Sequence, residues 1–338
     1  MCSSDLVDGL DDVLRLAVDD EVRAGLDGGR FLGGLADGGE DARTGPAREL
    51  DCGVAHAAPA ALDEHRPAVN RPVGEQAPVR GERRHAEAGA RVEVDPVRQR
   101  PRVPAVGGEG AAVASCTNST YAGVPGITVT PEGDGPFPVM VWIHGGGWVI
   151  GSADESIATA RDLAAGANCI VVSLDYRLAP EHPFPYGVED CYAAVSYIVA
   201  NAARFGGDPK RVALWGDSAG GNMAASVCLI ARDRKTPSLA APVIAYPRLN
   251  DELNASSYVT YRNSPGTTTE SMDSCWSQYL GTRRPTQEPY AAPVKAKDLS
   301  NLPPIFIHVA EVDCLADDGV QYAERLKAAG SPPTLRIA

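Results

Sequence analysis

Apolar, β-branched runs recur along the chain at residues 139–144, 169–175, 211–216, 242–246 and 305–309. They are continuous rather than alternating, which suits strands covered on both faces. Between them lie stretches with helical spacing at 156–167, 187–202, 220–233 and 318–329. In the last, Val320, Ala323, Leu326 and Lys327 fall near one face, and Gly330 stands where a C-terminal cap belongs. Strand and helix alternating in this way predict an α/β protein with a doubly wound, mostly parallel sheet.

The first third shows no such pattern. Residues 1–115 contain no Ile, Lys, Tyr or Trp, and Phe31 is their only aromatic residue. So few large apolar side chains bury little surface against the entropy of ordering the chain. A short helical spacing at Leu10, Val13, Leu14 and Val18 is the exception. Three readings stay open for residues 1–116: a disordered extension, a small unfamiliar domain, or a GC-rich stretch translated in the wrong frame. No function is assigned to it, and the folded domain is placed at 117–338.

Composition narrows the classes. With 44% hydrophobic and 22% charged residues, the chain has the make-up of a soluble globular protein. A net charge of −13 argues against nucleic acid or an anionic membrane surface as partner. No apolar run is long enough to insert into a membrane. The eight cysteines are scattered without a C-x-x-C pair, which reads as reduced thiols in a cytoplasm and as no metal site. A homo-oligomer is compatible with all of this.

Chemistry concentrates in two glycine-rich segments. Gly216-Asp217-Ser218-Ala219-Gly220 lies between an apolar strand and a helical stretch, the setting that G-x-S-x-G needs. A sharp turn there lifts the serine hydroxyl above the sheet edge, and small flanking residues let neighbouring backbone come close. Its rival reading is an ordinary glycine-rich turn. His144-Gly145-Gly146-Gly147-Trp148 follows an earlier strand. Bare amides in such a run can face a developing oxyanion, where one donor is worth about 3–4 kcal/mol. The rivals are a flexible loop or a phosphate cradle, but the Gly-Lys-Ser/Thr of a nucleotide loop is absent.

Those two segments, with Asp175-Tyr176-Arg177-Leu178-Ala179-Pro180-Glu181-His182-Pro183 between them, resemble the hormone-sensitive-lipase family of α/β-hydrolases. The resemblance runs from about Tyr121 to the end. It implies a carboxylesterase acting on short to medium acyl esters, with a small-molecule ester as partner and no cofactor. It implies Ser218 as nucleophile, and Gly145, Gly146, Gly147 and Ala219 around the oxyanion, with Trp148 and Asp217 beside the substrate. Arg177, Glu181 and His182 would brace the floor, and His144 would hold its loop. Asp313, with Cys314 where the family commonly has proline, matches the catalytic acid; Glu311 is a weaker candidate. Asp317 and Asp318 read as the solvated start of the next helix. A lid insertion is expected at about 248–289, where Tyr258, Tyr261, Met272, Trp276 and Tyr279 either line an acyl pocket or pack the lid.

The base is the gap. In this fold the histidine follows the acid, yet the six histidines (His56, His65, His85, His144, His182 and His308) all precede Asp313. The chain ends at Ala338, which reads as cut short within the last strand and lacking a covering helix. The expectation is an esterase nearly inactive in these 338 residues, with a weakened sheet. The alternatives are a non-catalytic small-molecule-binding relative, or an amide hydrolase using the same site.

Overall fold

The computed structural model describes residues 110–264 and 267–338, so the helical spacing near residues 10–18 lies outside the described residues. Ten strands occur among them: β1 (Ser115–Tyr121), β2 (Val124–Thr130), β3 (Phe137–Ile143), β4 (Ile170–Leu174), β5 (Gly207–Asp217), β6 (Pro242–Ala245), β7 (Asn263–Ser264), β8 (Thr267–Thr268), β9 (Phe306–Val309) and β10 (Thr334–Ile337). The helices are α1 (Ile157–Ala167), α2 (Tyr186–Asn201), α3 (Ala219–Arg234), α4 (Ser256–Thr260), α5 (Thr269–Leu280) and α6 (Ala316–Ala328). Eight strands form one sheet in the order β1-β2-β4-β3-β5-β6-β9-β10. β2 pairs antiparallel with β1 and β4, and every other neighbouring pair is parallel.

The continuous apolar runs have a simple cause. Val139, Val141, Ile143, Val172 and Leu214 point to one face, where residues of α2, α3 and α6 meet them. Met140, Trp142, Val171 and Trp215 point to the other, against Ala160, Leu163 and Ala164 of α1. With both faces covered, alternation in the backbone leaves no alternation in the sequence. Each fully buried side chain of this size contributes roughly 1.5–3 kcal/mol.

Two strands escaped the sequence reading. β1 is an edge strand with most of its residues half-buried or exposed, so it carries no apolar run. β2 is broken by Pro125 and Gly126. Ahead of β1 the Ala111 N–H donates to Asp162 Oδ1 at 2.7 Å, and Arg161 Nε donates to the Ala111 carbonyl at 2.9 Å.

The expectation of a last strand cut short, and of a sheet weakened there, is corrected. β10 pairs with β9 from Thr334 opposite Phe306 to Ile337 opposite Val309. The Ala338 N–H extends the ladder to the Val309 carbonyl at 3.0 Å, and the Glu311 N–H donates to the Ala338 carbonyl at 2.9 Å. Between β6 and β9 the chain forms α4, the small β7–β8 pairing and α5. Thr268 and Ser271 cap α5 reciprocally, each side chain accepting from the other's backbone at 3.1 Å.

Candidate active site

β5 ends at Asp217 and α3 begins at Ala219, so Ser218 alone makes the turn. Its φ of 52° and ψ of −114° lie where side-chain-bearing residues rarely sit, a strain of about 1–3 kcal/mol. Backbone bonds hold it there: the Ser218 N–H donates to the Ala245 carbonyl at 2.9 Å, and its own carbonyl accepts from Asn222 at 3.1 Å and Arg248 at 3.2 Å. The flanking glycines are required by close approach. A Cβ on Gly220 would lie 1.9 Å from the Ile143 carbonyl oxygen, and one on Gly216 would lie 2.2 Å from the Gly220 oxygen.

The triple-glycine loop leaves β3 beside this turn. Gly146 has φ of 101°, and its carbonyl accepts from Val149 and Ile150 at 3.1 and 3.0 Å, closing a tight reversal. Among the described residues no protein group accepts from the amides of Gly146, Gly147 or Ala219. The last lies in the first turn of α3, where the helix dipole favours negative charge. Gly145 differs, because its amide is engaged by the Asp217 carboxylate. Burial pushes Asp217 up to about 6, against smaller opposing effects of its own amide, the Gly145 amide and the Trp142 indole. Asp217 therefore props the loop from below.

Trp148 also faces inward. It is 1% exposed, stacked on Tyr279 at 4.3 Å and tilted against Trp276 at 4.4 Å. Tyr258, Met272, Trp276 and Tyr279 are all buried, which matches lid packing rather than an open acyl pocket, while Tyr261 is half-buried. This aromatic stack joins α5 to the triple-glycine loop.

The three described histidines occupy bracing positions. His144 stacks on Tyr176 at 4.3 Å, its Nδ1 lies 2.7 Å from the Gly145 carbonyl oxygen, and Tyr176 Oη donates to the His144 carbonyl at 2.7 Å. Burial lowers His144 to about 4. His182 donates its backbone N–H to Leu178 and sets its ring edge-on to Tyr186. His308 is buried on β9. Arg177 holds Asp190 in a fork at 2.7 and 2.6 Å, a partner the sequence did not suggest.

Asp313 stands in the turn after β9, two strands along from β5. Its Oδ1 accepts from the Leu315 N–H at 3.0 Å. Tyr246, just after β6, links the two regions: burial raises its hydroxyl pKa most, and the carboxylates of Asp217 and Asp313 raise it further. Burial, followed by Asp313, pushes the Cys314 thiol up to about 12. Glu311 is exposed.

The expectation of a solvated Asp318 is overturned. Asp318 is 0% exposed, and its Oδ2 accepts from the backbone of Leu249 and Asn250 and from Tyr258 Oη at 2.8, 3.0 and 3.0 Å. Burial pushes it up to about 7. Asp317 reaches across to the start of α4 instead, accepting from Ser256 Oγ and the Ser257 N–H. Sequence also missed Arg248, which is 2% exposed although only a Tyr-Pro pair precedes it after β6. Among the described residues, no cluster of three or more metal-ligating side chains exists and no helix is long and apolar enough to cross a membrane.

Comparison with known proteins places the chain in a family. A family profile described as alpha/beta hydrolase fold covers residues 140–337. The chain is 44% identical over 196 residues to Carboxylesterase NlhH of Mycobacterium tuberculosis, covering 57% of this chain and 61% of that protein. It is 40% identical over 219 residues to Carboxylic ester hydrolase LipN of the same organism, covering 63% and 58%. It thus spans about three fifths of the length of the curated relatives it matches. A solved structure entitled Bacterial Heroin Esterase superposes with a TM-score of 0.64 at 38% identity, covering 66% of this chain and 74% of that one. Esterase LipW from Mycobacterium marinum gives 0.61 at 33%, covering 66% and 71%. The chain belongs to the α/β-hydrolase fold family, in its hormone-sensitive-lipase-like branch.

Proposed function

We propose that the protein is built for carboxylic ester hydrolysis through an acyl-enzyme on Ser218. The observation that carries this is the strained turn of Ser218 beside unbonded amides at Gly146, Gly147 and Ala219. Ser218 Oγ attacks the ester carbonyl, and the oxygen that gains charge is received by those amides in a site they already shape. Collapse of the tetrahedral species expels the alcohol, and water then releases the acid. Asp313 is the acid that would orient a base, and Asp217 fixes the loop through Gly145. The relatives named carboxylesterase support a carboxylic ester as the substrate class.

No described histidine takes the base role. His144 is tied between Tyr176 and Gly145 and kept neutral by burial, while His182 and His308 serve packing. Without a base, the amides and binding alone give about 10³–10⁴-fold catalysis over water. The described residues therefore support only slow hydrolysis of p-nitrophenyl butyrate, and added imidazole speeds the reaction by supplying a proton acceptor. Fast turnover without imidazole would contradict a site that works without a base. Equal rates for the wild type and Ser218→Ala would contradict the nucleophile and leave a binding protein.

A further inference from the structure

We propose that Arg248 is a carboxylate-binding subsite on the floor of the site, selecting acyl groups that carry a second carboxylate a few atoms from the ester carbonyl. The acyl assignment rests on Ser218 being the reacting centre; the anion site itself does not.

The position of Arg248 is fixed from both ends. Its backbone N–H donates to the Ser218 carbonyl at 3.2 Å, and its own carbonyl accepts from Asn222 Nδ2 at 2.8 Å. The side chain then reaches the triple-glycine loop. Nη1 lies 3.3 Å from the point a Cβ on Gly147 would occupy, and Cζ lies 5.0 Å from the Trp148 ring centroid. The guanidinium thus sits beside the same loop whose amides face the ester carbonyl. An acyl chain held by those amides has only a short distance to span before its end meets this charge.

What singles Arg248 out is its lack of an acceptor. The residue is 2% exposed, its Nε and Nη1 are shielded from solvent, and neither makes a hydrogen bond. An arginine cannot shed its charge at ordinary pH. A desolvated cation without hydrogen bonds is costly, and burial normally comes with a paired anion. The Trp148 face offsets part of that cost through its π cloud.

Asp318 is the carboxylate whose field meets Arg248, but it does not close the pair. Its Oδ2 is occupied by Leu249, Asn250 and Tyr258, and its Oδ1 is buried without a partner. Burial also holds Asp318 near neutrality, at about 7. The site keeps a cation whose donors are unspent, and a carboxylate supplied by the substrate matches that geometry best. A neutral acyl chain would leave those donors unmet.

The test uses ligands that cannot be turned over. Glutaramate carries an amide carbonyl at one end and a carboxylate at the other; butyramide lacks the carboxylate. Titration calorimetry on the wild-type chain should show glutaramate binding at least tenfold more tightly. Arg248→Met should remove that preference, and Arg248→Lys should reduce it at least threefold. Should the Met variant lose its cooperative melting transition, the Lys variant decides. Equal binding of the two ligands to the wild type, or an undiminished preference in Arg248→Lys, would overturn the subsite. The preference should survive in Ser218→Ala, so a chain that binds glutaramate yet shows no serine chemistry would fail the proposed function while keeping this inference.

Discussion

The two helices that follow the candidate nucleophile and the candidate acid are built differently. α3, directly after Ser218, is buried without interruption from Ala219 to Ala231. α6, after Asp313, buries one face through Asp318, Gly319, Tyr322, Ala323 and Leu326 and leaves the rest more accessible. Their strands differ less: β5 lies between β3 and β6, and β9, which leads to Asp313, lies one strand in from the edge strand β10. Ser218 is therefore fixed by the protein's centre, where strain can be stored because every neighbour is packed. Asp313 rides on a turn near the edge, where adjustment is cheaper. If the two residues act together as proposed, the serine side is held rigidly and the acid side is more tolerant of change.

The sharpest way to break this contrast is to add one methyl group at each end. Gly220→Ala places a Cβ 1.9 Å from the Ile143 carbonyl oxygen and 2.7 Å from that of His144. Neither backbone can yield without opening the β3–β5 junction, so the variant should lose its cooperative thermal transition. Gly330→Ala, after α6, meets nothing within 4 Å and bears only the strain of a φ of +78°; about 1–2 kcal/mol is expected from denaturant titration. Equal effects of the two would mean that the centre is no more constrained than the edge.

Next in size is Trp148→Ala. It empties the stack on Tyr279 and Trp276 that ties α5 to the triple-glycine loop. A loss of about 3–5 kcal/mol is expected on unfolding, with a matching fall in serine reactivity as the loop amides lose their support. Full reactivity in a destabilised Trp148→Ala would show that the loop holds itself.

A smaller effect should follow pH. Asp318 has a folded pKa of about 7, raised from 3.8 by burial. The folded state then binds its proton more tightly than the unfolded chain does. The stability this proton supplies is fully present below about pH 4 and is lost as pH rises toward 7. Asp318→Asn keeps an acceptor for Leu249 and Asn250 but cannot ionise. Its melting temperature relative to wild type should rise between pH 5 and pH 8, and a constant difference would remove Asp318 as a titrating group. Smallest of all, Leu335→Ala on the half-exposed β10 edge should cost under about 1.5 kcal/mol.

Much of this was readable in the chain. Runs such as 139–144 and 169–175 announced buried strands, because a doubly covered sheet forces apolar side chains onto both faces. Ser218 and the glycines around it were readable because close backbone approach admits nothing larger. Other features left no local trace. β1 is polar at an edge, and β2 hides behind Pro125 and Gly126. Asp318 looks like any acidic helix start, yet tertiary packing turned it inward to satisfy two amides and Tyr258. Arg248 has no sequence signal of burial; only contact with Gly147 and Trp148 reveals it. Trp148 is buried in an aromatic stack and Asp217 engages the Gly145 amide, contacts that neither residue's place in the sequence announces.

The claim on which all of this turns is that Ser218 is the nucleophilic hydroxyl of a site shared with the free amides of Gly146, Gly147 and Ala219. Fluorophosphonate labelling followed by peptide mass mapping reads it directly. The account predicts a single slow adduct on the peptide carrying Ser218, formed faster with imidazole and absent from Ser218→Ala. An adduct of the same extent in that variant, or one mapped to another residue, would contradict it.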